Sequence, residues 1–217
     1  MYEDIINAFY DNRNKENAIK MSAYLKNNFP FLGIKKPERA ALQKNFIKQC
    51  KQTKKIDWNF IYELWNLPER EFQYLALDLL IALIKELKKT DINKIENLII
   101  NKSWWDTVDL LASKLTGSIV SKYPELKETH IINWSNQENI WLIRTAILFQ
   151  LKYKEKTDTE FLSKIITTNY NTNEFFINKA IGWILREYSK TNKQWVKSFI
   201  ENNELSPLSI REGSKYI

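Results

Sequence analysis

Only nine of the 217 residues are glycine or proline, four of the first and five of the second. Sandwiches, barrels and propellers turn every ~8–12 residues and lean on these residue types to do it. So small a supply excludes such folds and points to helices. A single cysteine, Cys50, leaves no internal disulfide and no thiolate zinc site, and gives no sign of an oxidising compartment. A single histidine, His130, excludes a two-His metal site. Any Ser–His or Cys–His couple would have to run through it, and its polar setting, KETHIINW, marks a surface or inter-helix residue. Gly33, Gly117, Gly182 and Gly213 are too scattered for a dinucleotide-binding or phosphate loop, which needs clustered glycines to bring backbone N–H groups onto phosphate. Long hydrophobic runs are also missing, since no segment reaches the ~18 apolar residues of a membrane span. The opening MYEDIINAFYDNRNKENA mixes acids with apolar residues and lacks the apolar centre of a signal peptide. A cytoplasmic location, in a bacterial cytosol or nucleoid, is expected, with no cofactor, metal or membrane partner.

What is present is a chain that is 44% hydrophobic and 13% aromatic, enough to bury a sizeable core. Lys and Arg outnumber Asp and Glu 33 to 26, a net charge of +7 that favours an anionic partner such as nucleic acid. The run from Lys35 to Lys55 holds eight basic residues against Glu38 alone, either a solvated face or the flank of a DNA path.

Residues 69–89, EREFQYLALDLLIALIKELKK, place apolar side chains at 72, 75, 76, 79, 80, 83 and 84, one face of a helix. The pattern then recurs. Tyr74-Leu75-Ala76-Leu77, Asp109-Leu110-Leu111-Ala112, Arg144-Thr145-Ala146-Ile147 and Lys179-Ala180-Ile181-Gly182 follow one another at 35-residue offsets. Shorter helical patterns, DINKIENLIINK, ELKETHIINWS and EFLSKIITTNY, fall between them, and NLPE, KYPE and NNELSP serve as connections. Helix pairs at this period mark an α-solenoid, in which each pair buries its face by stacking on its neighbours. The chain reads as all-α and as one repeat domain over 1–217, against the alternative of an irregular helical bundle.

Stacked repeats align equivalent positions along one wall, and here that position carries Tyr74, Asp109, Arg144 and Lys179. Trp105 lies one turn before Asp109 and Trp183 one turn after Lys179, so they share those helix faces. Arg186 follows in the same helix as Trp183, and Lys152 lies two turns beyond Arg144. Cations for phosphate and flat rings for sugar or base, around one carboxylate, suit a nucleic-acid groove. Each residue has a plainer role open to it: tryptophans pack between helices, and charges sit in water. Trp104 and Trp105 are adjacent, so one packs while the other is presented. Ser103 with Asp106 reads as a capping box, which leaves Asp109 free of that task.

The segments NKSWWDTVDLLA (101–112), FPFLGI (29–34), WLIRTAIL (141–148), KAIGWILREYSKTN (179–192) and LSPLSIREGSKYI (205–217) resemble the AlkD family of DNA alkylation repair glycosylases, from about residue 20 to the end. The resemblance implies HEAT-like repeats forming a curved superhelix, a concave basic cleft for duplex DNA, and removal of N3- and N7-alkylated purines without rotating the base out of the helix. It makes Asp109 the catalytic carboxylate, with Trp105 and Trp183 walling the lesion's deoxyribose. Arg144, Lys152 and Arg186 then match positions that hold the DNA backbone, and Tyr24 and Lys179 join them as DNA-contact candidates. The expected partner is duplex DNA containing alkylated purines, bound by a monomer. Two alternatives stand beside this: a non-catalytic relative that binds DNA structure, and a protein-interaction scaffold, the commonest use of a helical solenoid.

Overall fold

The computed structural model describes Tyr2–Ile217, and among these residues there are helices and no strand. Contacts gather into two compact units, one ending at Leu87 and the other beginning at Lys88.

The first unit comprises α1 (Tyr2–Asp11), α2 (Lys15–Tyr24), α3 (Lys36–Thr53), α4 (Trp58–Asn66) and α5 (Arg70–Ala82). Asn14 and Asp57 cap α2 and α4 by accepting from backbone N–H groups of the first turn. Pro37 and a Glu38 carboxylate that takes the Lys35 N–H (3.0 Å) open α3. The helix read over 69–89 stops at Ala82. Leu83 ends it, a 3₁₀ turn follows at Ile84–Glu86, and Leu83 and Leu87 are both buried, at 4% and 2% exposure.

Two buried charges at the start of α5 organise the FPFLGI segment. Glu71, fully buried, accepts the N–H groups of Leu32 (3.0 Å), Gly33 (2.8 Å) and Ile34 (3.1 Å). Burial pushes its carboxyl up, and these three donors pull the other way. The Arg70 guanidinium lies 3.8 Å from the centre of the Phe29 ring. Gly33 has φ +90, and a Cβ there would meet the Asn14 carbonyl oxygen at 2.0 Å, so no other residue fits. In α3 the basic run divides: Arg39 is buried against Asp78 (3.5 Å) and the Tyr74 ring (4.6 Å), while Lys44, Lys48 and Lys51 face solvent.

The second unit holds α6 (Ile92–Ile100), α7 (Trp105–Leu110), α8 (Gly117–Lys122), α9 (Ile132–Ser135), α10 (Ile140–Leu148), α11 (Thr159–Asn169), α12 (Phe175–Tyr188), α13 (Lys193–Glu201) and α14 (Pro207–Gly213). A π-helical stretch, Leu111–Thr116, joins α7 to α8, and Ser113 Oγ donates to the Asp109 carbonyl (2.6 Å) where the change begins. The Ser103–Asp106 capping box does not form. Trp104 occupies the N-cap, and Ser103 Oγ turns back to the Ile99 carbonyl (2.6 Å), closing the preceding helix.

The 35-residue period becomes physical contact. Gln43 donates to Asp78 in the first unit; in the second, Arg144 donates to Asp109 and Lys152 to Glu187, and each pair is 35 residues apart. Side chains one repeat apart therefore meet across neighbouring helices, as stacked helix pairs require. Among the described residues no helix is long and apolar enough to cross a membrane, and no group of His, Cys, Asp and Glu could hold a metal.

Candidate active site

Three helices of the second unit converge on one opening. α7 supplies Trp105 and Asp109, α10 supplies Arg144, and α12 supplies Phe175, Phe176, Lys179, Trp183 and Arg186, which together line a cavity of about 350 Å³. The wall positions Asp109, Arg144 and Lys179 meet there, with Trp105 and Trp183 beside them.

At the centre is an ion pair. Arg144 Nε donates to Asp109 Oδ1 (2.7 Å) and Nη2 to Oδ2 (3.0 Å), a bidentate fork that needs an ionised carboxylate. The third guanidinium nitrogen, Nη1, donates to the Phe176 carbonyl (2.6 Å). One side chain thus ties α7, α10 and α12 together and fixes the plane of the carboxylate. The Arg144 side chain is 4% exposed and that of Asp109 15%, and both line the cavity. Burial pushes the Asp109 carboxyl above the ordinary aspartate range, and the Arg144 hydrogen bonds and charge oppose that rise.

The sequence places Arg144 on a DNA-contacting wall; in the structure it lines the cavity, and each of its three nitrogens donates one hydrogen bond inside the protein, which uses three of the five guanidinium N–H donors. The cations that present themselves at the cavity are Lys179, 37% exposed, and Arg186, 25% exposed.

The adjacent tryptophans divide as expected. Trp105 lines the cavity, half-buried, while Trp104 packs against Trp141 (ring centres 5.6 Å apart) and Phe176 (5.1 Å). Trp141 and Phe176 also touch each other (4.9 Å), so an aromatic triad supports the residue whose carbonyl holds Arg144. Lys152 is exposed, pairs with Glu187 (2.9 Å), and is not part of the cavity lining. Hydrogen bonds from Lys190 and Lys152 hold the Glu187 carboxyl low. Tyr24 ends α2 in the first unit, 71% exposed. His130 sits at the surface with Asn93 (3.1 Å) and Thr129 (2.8 Å), away from the lining residues.

Sequence reasoning missed Glu212, which is 5% exposed and pairs with both Lys179 (3.0 Å) and Arg186 (2.9 Å). One more 35-residue step from Lys179 reaches Ser214, so Glu212 lies two residues from the continued register, where it could have been sought. The Phe176 carbonyl left no such trace, because any residue supplies one.

A family model described as DNA alkylation repair enzyme matches residues 5–217 of the chain. The structure is similar to a solved one from Enterococcus faecalis, described as a predicted DNA alkylation repair enzyme, with 40% sequence identity and a TM-score of 0.87. That similarity covers 94% of this chain and 96% of the other. Comparison with curated proteins gives no match.

Proposed function

Because the chain belongs to the DNA alkylation repair enzyme family, we propose that it is a DNA glycosylase that hydrolyses the N-glycosidic bond of N3- and N7-alkylated purines in duplex DNA. The observation that carries this is the Asp109 carboxylate, held by the Arg144 fork in a cavity whose lining includes Trp105 and Trp183.

The chemistry suits so small a set of groups. A purine alkylated at N3 or N7 is already cationic and departs as a neutral base, so no general acid is required. Departure leaves oxocarbenium character at C1′, and that is the charge to be stabilised. Asp109 does so electrostatically, and the lone pairs not used by Arg144 orient the attacking water. Because the fork holds the carboxylate before substrate arrives, little reorganisation accompanies the reaction. The faces of Trp105 and Trp183 attract the cationic sugar and base, worth on the order of 0.5–2 kcal/mol each when desolvated. Glycosidases acting on uncharged leaving groups use two carboxylates, one of them as the acid. Here the cavity lining contains one carboxylate, which restricts the enzyme to substrates that bring their own charge.

Release of 7-methylguanine and 3-methyladenine from methylated duplex DNA tests the proposal. The native chain should release both, and Asp109→Asn should lower the single-turnover rate about 100-fold or more, the scale of losing one preorganised charge-stabilising group. An Asp109→Asn variant as active as the native chain would remove Asp109 from the mechanism. Release of neutral ethenoadenine at the rate of 7-methylguanine would contradict the restriction to cationic lesions.

A further inference from the structure

We infer that Glu212 is a positioning residue that holds Lys179, Arg186 and Lys215 together as a preorganised clamp for one DNA phosphate at the edge of the cavity. The inference rests on the cavity being a duplex-DNA site, as proposed above.

Lys179 and Arg186 lie seven residues apart on α12, two turns along one face, and both line the cavity. Gly182 stands between them. Its missing side chain admits α14: a Cβ at Gly182 would lie 2.5 Å from the Glu212 Cβ and 3.0 Å from the Ser209 carbonyl oxygen. Ser209 Oγ, fully buried, donates to the Asn178 carbonyl (2.9 Å) and fixes the register of the two helices. That approach delivers the Glu212 carboxylate to the cations, with Oε1 on Lys179 Nζ (3.0 Å) and Oε2 on both Arg186 Nη1 (2.9 Å) and Lys215 Nζ (3.0 Å).

The exposures run in opposite directions. The Glu212 side chain is 6% exposed, whereas those of Lys179, Arg186 and Lys215 are 37%, 25% and 45% exposed. The anion is therefore enclosed, while its partners' side chains remain in contact with solvent. Three cations against one carboxylate leave an excess of two positive charges in the cluster. Hydrogen bonds from Lys215 and then Lys179 hold the Glu212 carboxyl down at about 2, so it stays ionised wherever DNA is a duplex. A free surface lysine loses rotamer freedom when it binds phosphate; one already tethered has less to lose.

Glu212→Gln separates this from simple charge. Removing a carboxylate near a phosphate path raises net positive charge and, by electrostatics alone, should tighten DNA binding and steepen its salt dependence. The clamp predicts the reverse. Affinity for a labelled duplex oligonucleotide, measured at several salt concentrations, should fall by roughly fivefold or more. The slope of log affinity against log salt should become shallower by about one, the loss of one phosphate contact. In base release the loss should fall on KM more than on kcat. Equal or tighter binding with an equal or steeper slope overturns the inference. If Glu212→Gln does not unfold cooperatively, Glu212→Asp takes its place: it keeps the charge and shortens the reach. Weaker binding by that variant then supports the clamp, and native affinity overturns it. A native chain that does not retain the duplex defeats the proposed function itself, a result distinct from either variant outcome.

Discussion

Asp109 and Arg144 answer each other chemically. The carboxyl is raised by burial, so its ionised form disappears, as pH falls, at a higher pH than the ordinary value of 3.8. If the ionised form is the active one, the acid limb of kcat against pH lies above that value and activity is full on its alkaline side. Arg144 opposes the rise, and Arg144→Lys keeps a charge but loses the fork. That variant should move the acid limb upward. It should also slow base release by about 10- to 100-fold through loss of carboxylate orientation. An acid limb that stays in place would show that the fork does not govern the titration. At this scale the sequence was informative about residue types and silent about pairing. Asp109 and Arg144 were legible as two members of one register, but a wall of separate contacts and a locked ion pair share the same spacing. Their difference lies in burial, which follows from how α7, α10 and α12 close together.

At the scale of elements, the glycines that matter are those where backbone approaches backbone. Gly33 takes a left-handed φ under the Asn14 carbonyl, inside a segment whose three N–H groups are gathered by Glu71. Gly33→Ala adds left-handed strain to a collision with backbone and should cost about 2–5 kcal/mol. A fall in the urea midpoint without a change in slope would register it; an unshifted midpoint would mean that the segment relaxes freely. The helix periodicity of α5 was readable from its apolar face, although its end was not. The same apolar pattern runs on through Leu83 and Leu87, yet α5 stops at Ala82 and a 3₁₀ turn follows, with both leucines buried. The capping box failed because α7 begins one residue later than that motif needs: Trp104 holds the N-cap, and Ser103 Oγ donates back to the Ile99 carbonyl.

For the whole molecule, a net charge of +7 becomes meaningful through placement. Arg39 and Arg144 are buried in ion pairs, and Lys152 is paired with Glu187, so they add to the total without offering a free cation at the cavity. Duplex binding should still weaken steeply between about 50 and 200 mM salt, as a phosphate-lined site requires. A flat response would favour a protein-interaction scaffold. By itself the sequence determined the helical class, the 35-residue repeat and the chemistry that is absent, because composition and periodicity are properties of the chain alone. Only the tertiary structure decided that Arg144 forks onto Asp109, and that Glu212 pairs with both Lys179 and Arg186. Both depend on which polar groups are shut away from water when helices pack, and an ion pair forms where two charges are buried together, whatever their distance along the chain.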